Sequence, residues 1–344
     1  MDVKELLENI VAPVGVSGVE FEAAGVIKEY LSRYCDNVEE DKLGNIIAVK
    51  RCGKEVAPHL MIEAHMDELG LMVSGFTKEG SLTFVPIGGF DQKVLPGSEV
   101  TVHTSSGDYF GVIGAKPPHL IEDRSKSVRM EDMSIDLGFD EPTSRKKVSI
   151  GDIATFNTSF IELSGSKLAG RCFDDRAGVA SLILALDYMK DYNIECDIVL
   201  CVTVQEELGL RGAKTVCRTA QPDAAIVVDA GFGISENAKE GFELGSGVIV
   251  SLGPNLHPKL TDLILEAAKE RKIDVEVDVE AGDTGTDAWE IQVAELGVPT
   301  ALLSFPTRYM HSTYEVIDMS DIESMAKLIA ASALRYKGGD QLCY

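Results

Sequence analysis

Two kinds of apolar run alternate along most of this chain. HLMIEAH (59–65), CDIVLCVTVQ (196–205), DAAIVVDA (223–230) and GVIVSLG (247–253) are short and almost continuously apolar, as strands buried on both faces are, and LGNIIAVK (43–50) reads as another strand. Between and after them, DDRAGVASLILALDYMKDY (174–192), PKLTDLILEAAKERK (258–272) and MSDIESMAKLIAASALRYK (319–337) repeat apolar residues every three or four positions, the period of a helix with one buried face. Near the start, Phe21, Ala24, Ile27 and Leu31 share a helical face, and Ser17 and Glu20 stand at capping-box spacing, which predicts a helix from Ser17 to Tyr34.

The pattern changes between about 70 and 158. LMVSGFT, SLTFVPIGG, EVTVHT, DYFGVIGA and DIATF are β-rich runs broken by Gly, Pro, Ser and Asp, with no convincing amphipathic helix among them. The expected architecture is α/β: a doubly wound sheet flanked by helices, formed by residues 1–69 and 159–344, with a small β domain inserted at 70–158. The stretch from Ala115 to Ser149, rich in charge and containing KPPHL, is long for a connection and suggests assembly or gating.

Composition narrows the partners. The chain has 344 residues, 45% of them apolar, enough for a sizeable core, and 56 acidic against 32 basic residues give a net charge of −24. Such a charge repels nucleic acid and anionic membranes. No stretch approaches the roughly twenty apolar residues of a membrane span, and MDVKELLENIVAPV lacks the apolar centre of a signal peptide, so a cytoplasmic location is expected. Seven cysteines without a C-x-x-C pair point to buried small hydrophobes rather than a disulfide framework or a thiolate metal site. Cys172 lies two residues from Asp174, but no neighbouring histidine stands ready to activate it.

Candidate chemistry gathers where apolar runs end. EAHMDELG (63–70), FDDRAG (173–178), QEELG (205–209), VVDAG (227–231) and MHS (310–312) put acidic and histidine residues at loop-like positions, where open α/β sheets bind ligands. Each has a plain alternative: polar residues ending a strand, Asp174 and Asp175 favouring a helix N-terminus, a solvated turn, a lone surface histidine. Together they make a donor count. His65, Asp174 and Asp229 suit one divalent ion; Asp174 as a bridge, Glu207 and His311 suit a second. Asp67 would orient the His65 ring, and Glu206, beside a metal-bound Glu207, would transfer protons as general base. Nitrogen and oxygen donors without sulfur favour Zn, Co or Mn.

The ordered run EAHMDELGLMV, GVIGAKPPHL, FDDRAGV, VQEELGLRGA, VVDAG, GPNLHPKL, GTDAWEIQ and PTRYMHSTYEVID resembles the dinuclear-metal TET aminopeptidases, a family of glutamyl and deblocking aminopeptidases whose members have also been labelled endoglucanase or cellulase M. The match spans nearly the whole chain. It implies a zinc-peptidase-like catalytic domain, an inserted β-barrel-like or PDZ-like dimerisation domain, and dimers assembled into a hollow tetrahedral dodecamer. It also implies two ions per subunit, Zn or Co before Mn, held by His65, Asp174, Glu207, Asp229 and His311, with Glu206 as base and Asp67 behind the histidine. The substrates would be peptides with a free amino terminus. Thr313 stands where the family often has proline, and the run Asp283 to Trp289 either shapes the substrate pocket or only begins a helix.

Three rivals stand beside this reading. A dinuclear-metal deacylase or carboxypeptidase would need a basic pocket for a substrate carboxylate, and no Arg or Lys cluster accompanies the motifs. An endoglucanase would need two carboxyl groups about 5–10 Å apart across the sugar bond, for which adjacent Glu206 and Glu207 are a poor pair. A non-catalytic assembly subunit would be expected to have lost part of the site.

Overall fold

The computed structural model describes residues 1–120 and 127–343. Its centre is an eight-stranded sheet in the order Asn37–Glu40, Ile46–Lys50, Asp197–Thr203, His59–His65, Ala224–Phe232, Thr300–Thr307, Val248–Leu252 and Val275–Val279. The four middle strands, from Asp197–Thr203 to Thr300–Thr307, run parallel, so their carboxyl ends open on one edge of the sheet.

Alternate side chains of those strands feed two cores, as a sheet buried on both faces requires. Leu60, Ile62, Ile198, Leu200, Ile226 and Val228 pack on the side of the long helices Val3–Val11, Phe21–Leu31, Phe173–Met189, Pro258–Arg271 and Met319–Arg335. Met61, Val199, Cys201, Ala225, Val227 and Leu302 face the shorter helices Ala213–Ala220 and Ala288–Ile291. The fold is the expected doubly wound α/β sheet.

The β-rich stretch closes on itself. Strands Gly70–Phe76, Leu82–Ile87, Ser134–Asp136, Gly107–Gly114, Glu99–Thr104 and Ile153–Phe156 form a closed barrel, paired antiparallel, around its own core of Val73, Phe84, Val102, Ile113 and Ile135. The stretch from Ala115 to Ser149 is not one long loop. It contributes strand Ser134–Asp136 and the helix Glu141–Lys147, a short element that the sequence pattern did not show; residues 121–126 of that stretch lie outside the described residues.

The helix expected from Ser17 begins only at Phe21 and ends at Leu31. No capping box forms, because the Ser17 hydroxyl donates to Asp67 Oδ2 (2.6 Å) and Glu20 Oε1 accepts the Gly18 N–H (2.7 Å). The contact with Asp67 outweighs a local cap. Four cysteines are buried, among them Cys172, whose thiol burial pushes up to about 12, so it has no nucleophilic character.

Arg176, fully buried, ties this framework together. Its guanidinium donates to the carbonyls of Met66 (2.8 Å) and Pro13 (2.6 Å) and to Glu68 Oε1 (3.1 Å), while Glu68 also pairs with Arg171 and accepts the Gly15 N–H. A Cβ on Gly15 would overlap Arg176 Nη2, so the close approach requires glycine there. Removing the guanidinium leaves buried carbonyls unpaired and strips one of two cations from Glu68. Arg176→Met is expected to destabilise the metal-free chain by about 3 kcal/mol or more, read as a lowered urea midpoint. An unchanged midpoint would show that the buried network is dispensable.

Candidate metal centre

At the carboxyl edge of the sheet, four parallel strands and one helix start deliver the predicted residues to one place. His65 ends its strand opposite Thr203, and the Thr203 strand runs on into a short 3-10 turn that carries Glu206 and Glu207. Asp229 lies two residues beyond Val227, which is registered with Glu63 on the His65 strand. His311 follows the strand Thr300–Thr307 with a left-handed backbone, φ 59°. Asp174 sits at the start of helix Phe173–Met189 but is not itself helical, with φ −74° and ψ 107°.

Asp174 stands between the two histidines. Its Oδ1 is 3.2 Å from His65 Nε2 and its Oδ2 is 3.4 Å from His311 Nε2, with Glu207 Oε2 3.5 Å from the same His311 nitrogen. Asp229 Oδ1 and Glu206 Oε2 each lie 4.0 Å from His65 Nε2. Donor atoms of Asp174, Glu207 and His311 fall within 4.8 Å of one another, as do those of His65, Asp175 and Asp229 and those of His65, Glu206 and Glu207. Asp175, read from sequence only as a neighbour of the bridge, therefore belongs to the cluster and also accepts the His65 N–H (3.3 Å). Gly178 makes room for it, since a Cβ there would overlap the Asp175 carboxylate.

Asp67 is completely buried and sits behind His65, with Oδ1 3.5 Å from Nδ1. It also accepts the N–H groups of Glu206 (2.9 Å) and Glu207 (3.2 Å), so one carboxylate faces the ring and holds the acidic turn. The sequence did not reveal the acids that back the site. Glu315 accepts the N–H groups of both Asp174 and His311. Glu63 and Asp287 approach the same Thr203 hydroxyl at 2.7 and 2.8 Å beneath the site. Asp287 lies in the run read as a possible pocket former, of which Asp283, Thr284, Gly285 and Thr286 do line the cavity while Asp287 turns inward.

Crowding sets the electrostatics. Burial, reinforced by neighbouring acids, pushes Glu206 up to about 10 and Glu207 to about 8, and raises Asp229 and Asp175 well above the carboxylate range. Burial also opposes ionisation of Asp174, but hydrogen bonds from His311 and His65 overcome it and hold that carboxyl well below its usual value. His311 rises to about 9 through its bond to Asp174, against desolvation. A buried group of acids that clings to protons, with two imidazoles set among them, is a donor set fitted to divalent cations.

The cluster opens into a cavity of about 920 Å³. Besides the cluster it is lined by Glu240, Asp278, Glu280 and Asp283 with Phe232 and Phe242, and no lysine or arginine lines it among the described residues. Among the described residues no helix is long and apolar enough to cross a membrane.

Comparison with known proteins gives a consistent picture. The model of the M42 glutamyl aminopeptidase family matches residues 44–328. The lysyl aminopeptidase of Pyrococcus furiosus is 36% identical over 335 residues, covering 95% of each chain. The TET aminopeptidase of a Thaumarchaeota archaeon from marine sediment superposes with a TM-score of 0.91 at 32% identity, over 97% of this chain and 96% of the other. A TET peptidase of Pyrococcus horikoshii, which can assemble into a tetrahedron or a large octahedral shell, gives 0.86 at 31% identity, over 97% and 100%. A Thermotoga maritima protein named an endoglucanase also shares the fold, with a TM-score of 0.77 at 32% identity over 97% and 96%.

The raised acids and histidines bind more protons in the folded, metal-free chain than in the unfolded one. Stability therefore falls as pH rises from the unfolded carboxylate value near 4.5 through the folded values near 8 to 10. Ions that displace those protons reverse the trend. The thermal midpoint of the chelated chain is expected to drop between about pH 5.5 and 8.5, and the stabilisation by added cobalt or zinc to grow over the same range. Stabilisation that shrinks toward the alkaline end would contradict this account.

Proposed function

Because the chain belongs to the M42 glutamyl aminopeptidase family it is an aminopeptidase, and we propose that two divalent ions held around Asp174 and a proton-transferring Glu206 carry its chemistry. The observation that carries the proposal is the Asp174 carboxylate, with one oxygen directed at each histidine. His65 and Asp229 would hold one ion and Glu207 and His311 the other, with the Asp174 carboxylate shared between them. Zinc or cobalt suits these donors best, with manganese behind them.

Ions bound there supply Lewis acidity toward the scissile carbonyl and make a nearby water acidic enough to ionise near neutral pH. Glu206 then takes the proton as the water oxygen attacks the carbonyl carbon. The same carboxyl returns that proton to the departing amine nitrogen when the C–N bond breaks. Positive charge beside Glu206 would lower its raised carboxyl and so favour the ionised form that a general base needs. Asp67 holds the Glu206 N–H and faces the His65 ring, keeping base and ligand in register.

The cavity wall adds a substrate preference. Glu240, Asp278, Glu280 and Asp283, without a basic counterpart, would receive a cationic side chain at the amino terminus, in keeping with the lysyl specificity named for the Pyrococcus furiosus relative. Burial and the neighbouring Asp278 raise Glu280, a carboxyl short of positive charge. The same wall disfavours the deacylase or carboxypeptidase alternative, which needs cations for a substrate carboxylate. The endoglucanase name of the Thermotoga maritima protein is not carried over, because acids gathered around imidazoles are ion ligands rather than a pair facing across a sugar.

We also propose that residues 70–158 serve as the dimerisation domain and residues 1–69 with 159–344 as the catalytic one. Dimers would build a tetrahedral dodecamer, in keeping with the tetrahedron and the dodecamer named for Pyrococcus horikoshii TET1 and PhTET1-12s. A cytoplasmic location accords with the seven free cysteines.

Glu206→Gln should lower kcat at least ~100-fold while two ions per chain remain by elemental analysis. Wild-type turnover, or loss of the ions with the activity, would remove Glu206 from this role. In a panel of aminoacyl amides, Lys and Arg substrates should be cleaved faster than Glu substrates, and N-acetylated counterparts not at all. Preference for Glu would refute the acidic-wall assignment, and cleavage of blocked substrates would refute the exopeptidase reading.

A further inference from the structure

Two of the residues assigned to the ions are presented by irregular backbone. Asp174 lies in the first turn of a helix without helical angles, and His311 has a positive φ. Neither N–H can enter a helical ladder there, and buried N–H groups need an acceptor. One side chain supplies both. Glu315 Oε2 accepts the Asp174 N–H (3.1 Å) and Glu315 Oε1 accepts the His311 N–H (3.3 Å).

The sheet explains how Glu315 reaches both. It opens the strand Glu315–Asp318, which pairs antiparallel with Lys167–Gly170 so that Glu315 is opposite Gly170, shortly before Asp174 in the chain. On its other side, only the turn from His311 to Tyr314 separates it from the histidine. Glu315 is 3% exposed, and no lysine or arginine pairs with it among the described residues. Its two oxygens are thus committed to two N–H donors from segments that lie far apart in the chain.

We infer that Glu315 is a positioning residue for the ion pair: a carboxylate clamp that sets the bridging Asp174 and the terminal ligand His311 at a fixed separation. The inference rests on the two-ion reading above. It requires the glutamate carboxylate, because glutamine offers one acceptor oxygen where two are used, and aspartate, one methylene shorter, would draw both oxygens back from the N–H groups. Partners behind metal ligands typically change metal affinity about 10- to 100-fold when removed.

The test is cobalt binding by the full-length chain, followed by calorimetry and by the visible spectrum of the bound ion, with thermal midpoints of the metal-free proteins measured alongside. Glu315→Ala is expected to weaken cobalt binding at least ~10-fold and to alter the spectrum, and Glu315→Gln to fall between it and the wild type. Wild-type affinity and spectrum in both variants, with only a lowered midpoint, would overturn the clamp and leave Glu315 a packing residue. Should Glu315→Ala fail to fold, Glu315→Gln decides: a wild-type isotherm and spectrum overturn the proposal, a weakened isotherm with a changed spectrum supports it. A wild-type chain that binds no cobalt would sink the two-ion reading itself, a result distinct from failure of the clamp.

Discussion

Buried negative charge governs this molecule. Asp67, Asp174, Asp175, Asp229 and Glu315 are each no more than 6% exposed, and Glu206 and Glu207 crowd against them. A carboxylate withdrawn from water must find hydrogen bonds, a proton or a cation. The surrounding chain meets part of that demand with its backbone: Asp67 receives N–H groups from the Glu206–Glu207 turn, Glu315 from Asp174 and His311, and Asp175 from His65. Those same bonds fix the loops that carry the donors. The electrostatic demand and the geometry of the site are therefore met together, with backbone donors holding the outer acids and protons or cations satisfying the inner ones.

The same logic separates the site from the ion pair beside it. Glu68, just past the end of the His65 strand, is held low by Arg171 and Arg176 against its burial, so its charge is matched within the protein. No arginine or lysine reaches Glu206, Glu207, Asp174 or Asp229 among the described residues. Fixed guanidinium groups match Glu68 from within the chain, as none does for the donors of the cluster among the described residues. The carboxylate behind His65, Asp67, and the one matched by arginine, Glu68, are thus adjacent in the chain.

Much of this was legible in the sequence because the donors sit at the ends of strands whose apolar runs are unmistakable. His65, Glu206, Glu207 and Asp229 each follow such a run, and parallel pairing brings the ends together. What escaped notice depends on contacts between distant segments. Ser17 has the spacing of a helix cap, yet its hydroxyl serves Asp67, 50 residues away. Glu315 looks like any acid opening a strand, and its role exists only because Asp174, 141 residues earlier, arrives opposite it. The barrel was visible as β-rich texture, but its closure joins Gly70–Phe76 to Ile153–Phe156, and no local pattern encodes that pairing.

Charge acts on two scales here. The net −24 spreads over a surface where salt confines each exposed charge to about 8 Å, so it cannot select a substrate at a distance. The acids that line the cavity share it with the buried cluster, so they act on what has already entered it. On the proposed reading, discrimination between lysyl and glutamyl termini would arise only after the peptide has entered, and would be sensitive to salt. The buried cluster is screened far less. On the two-ion proposal, the buried cluster would serve every substrate alike, while the acids lining the cavity would set which amino terminus is held.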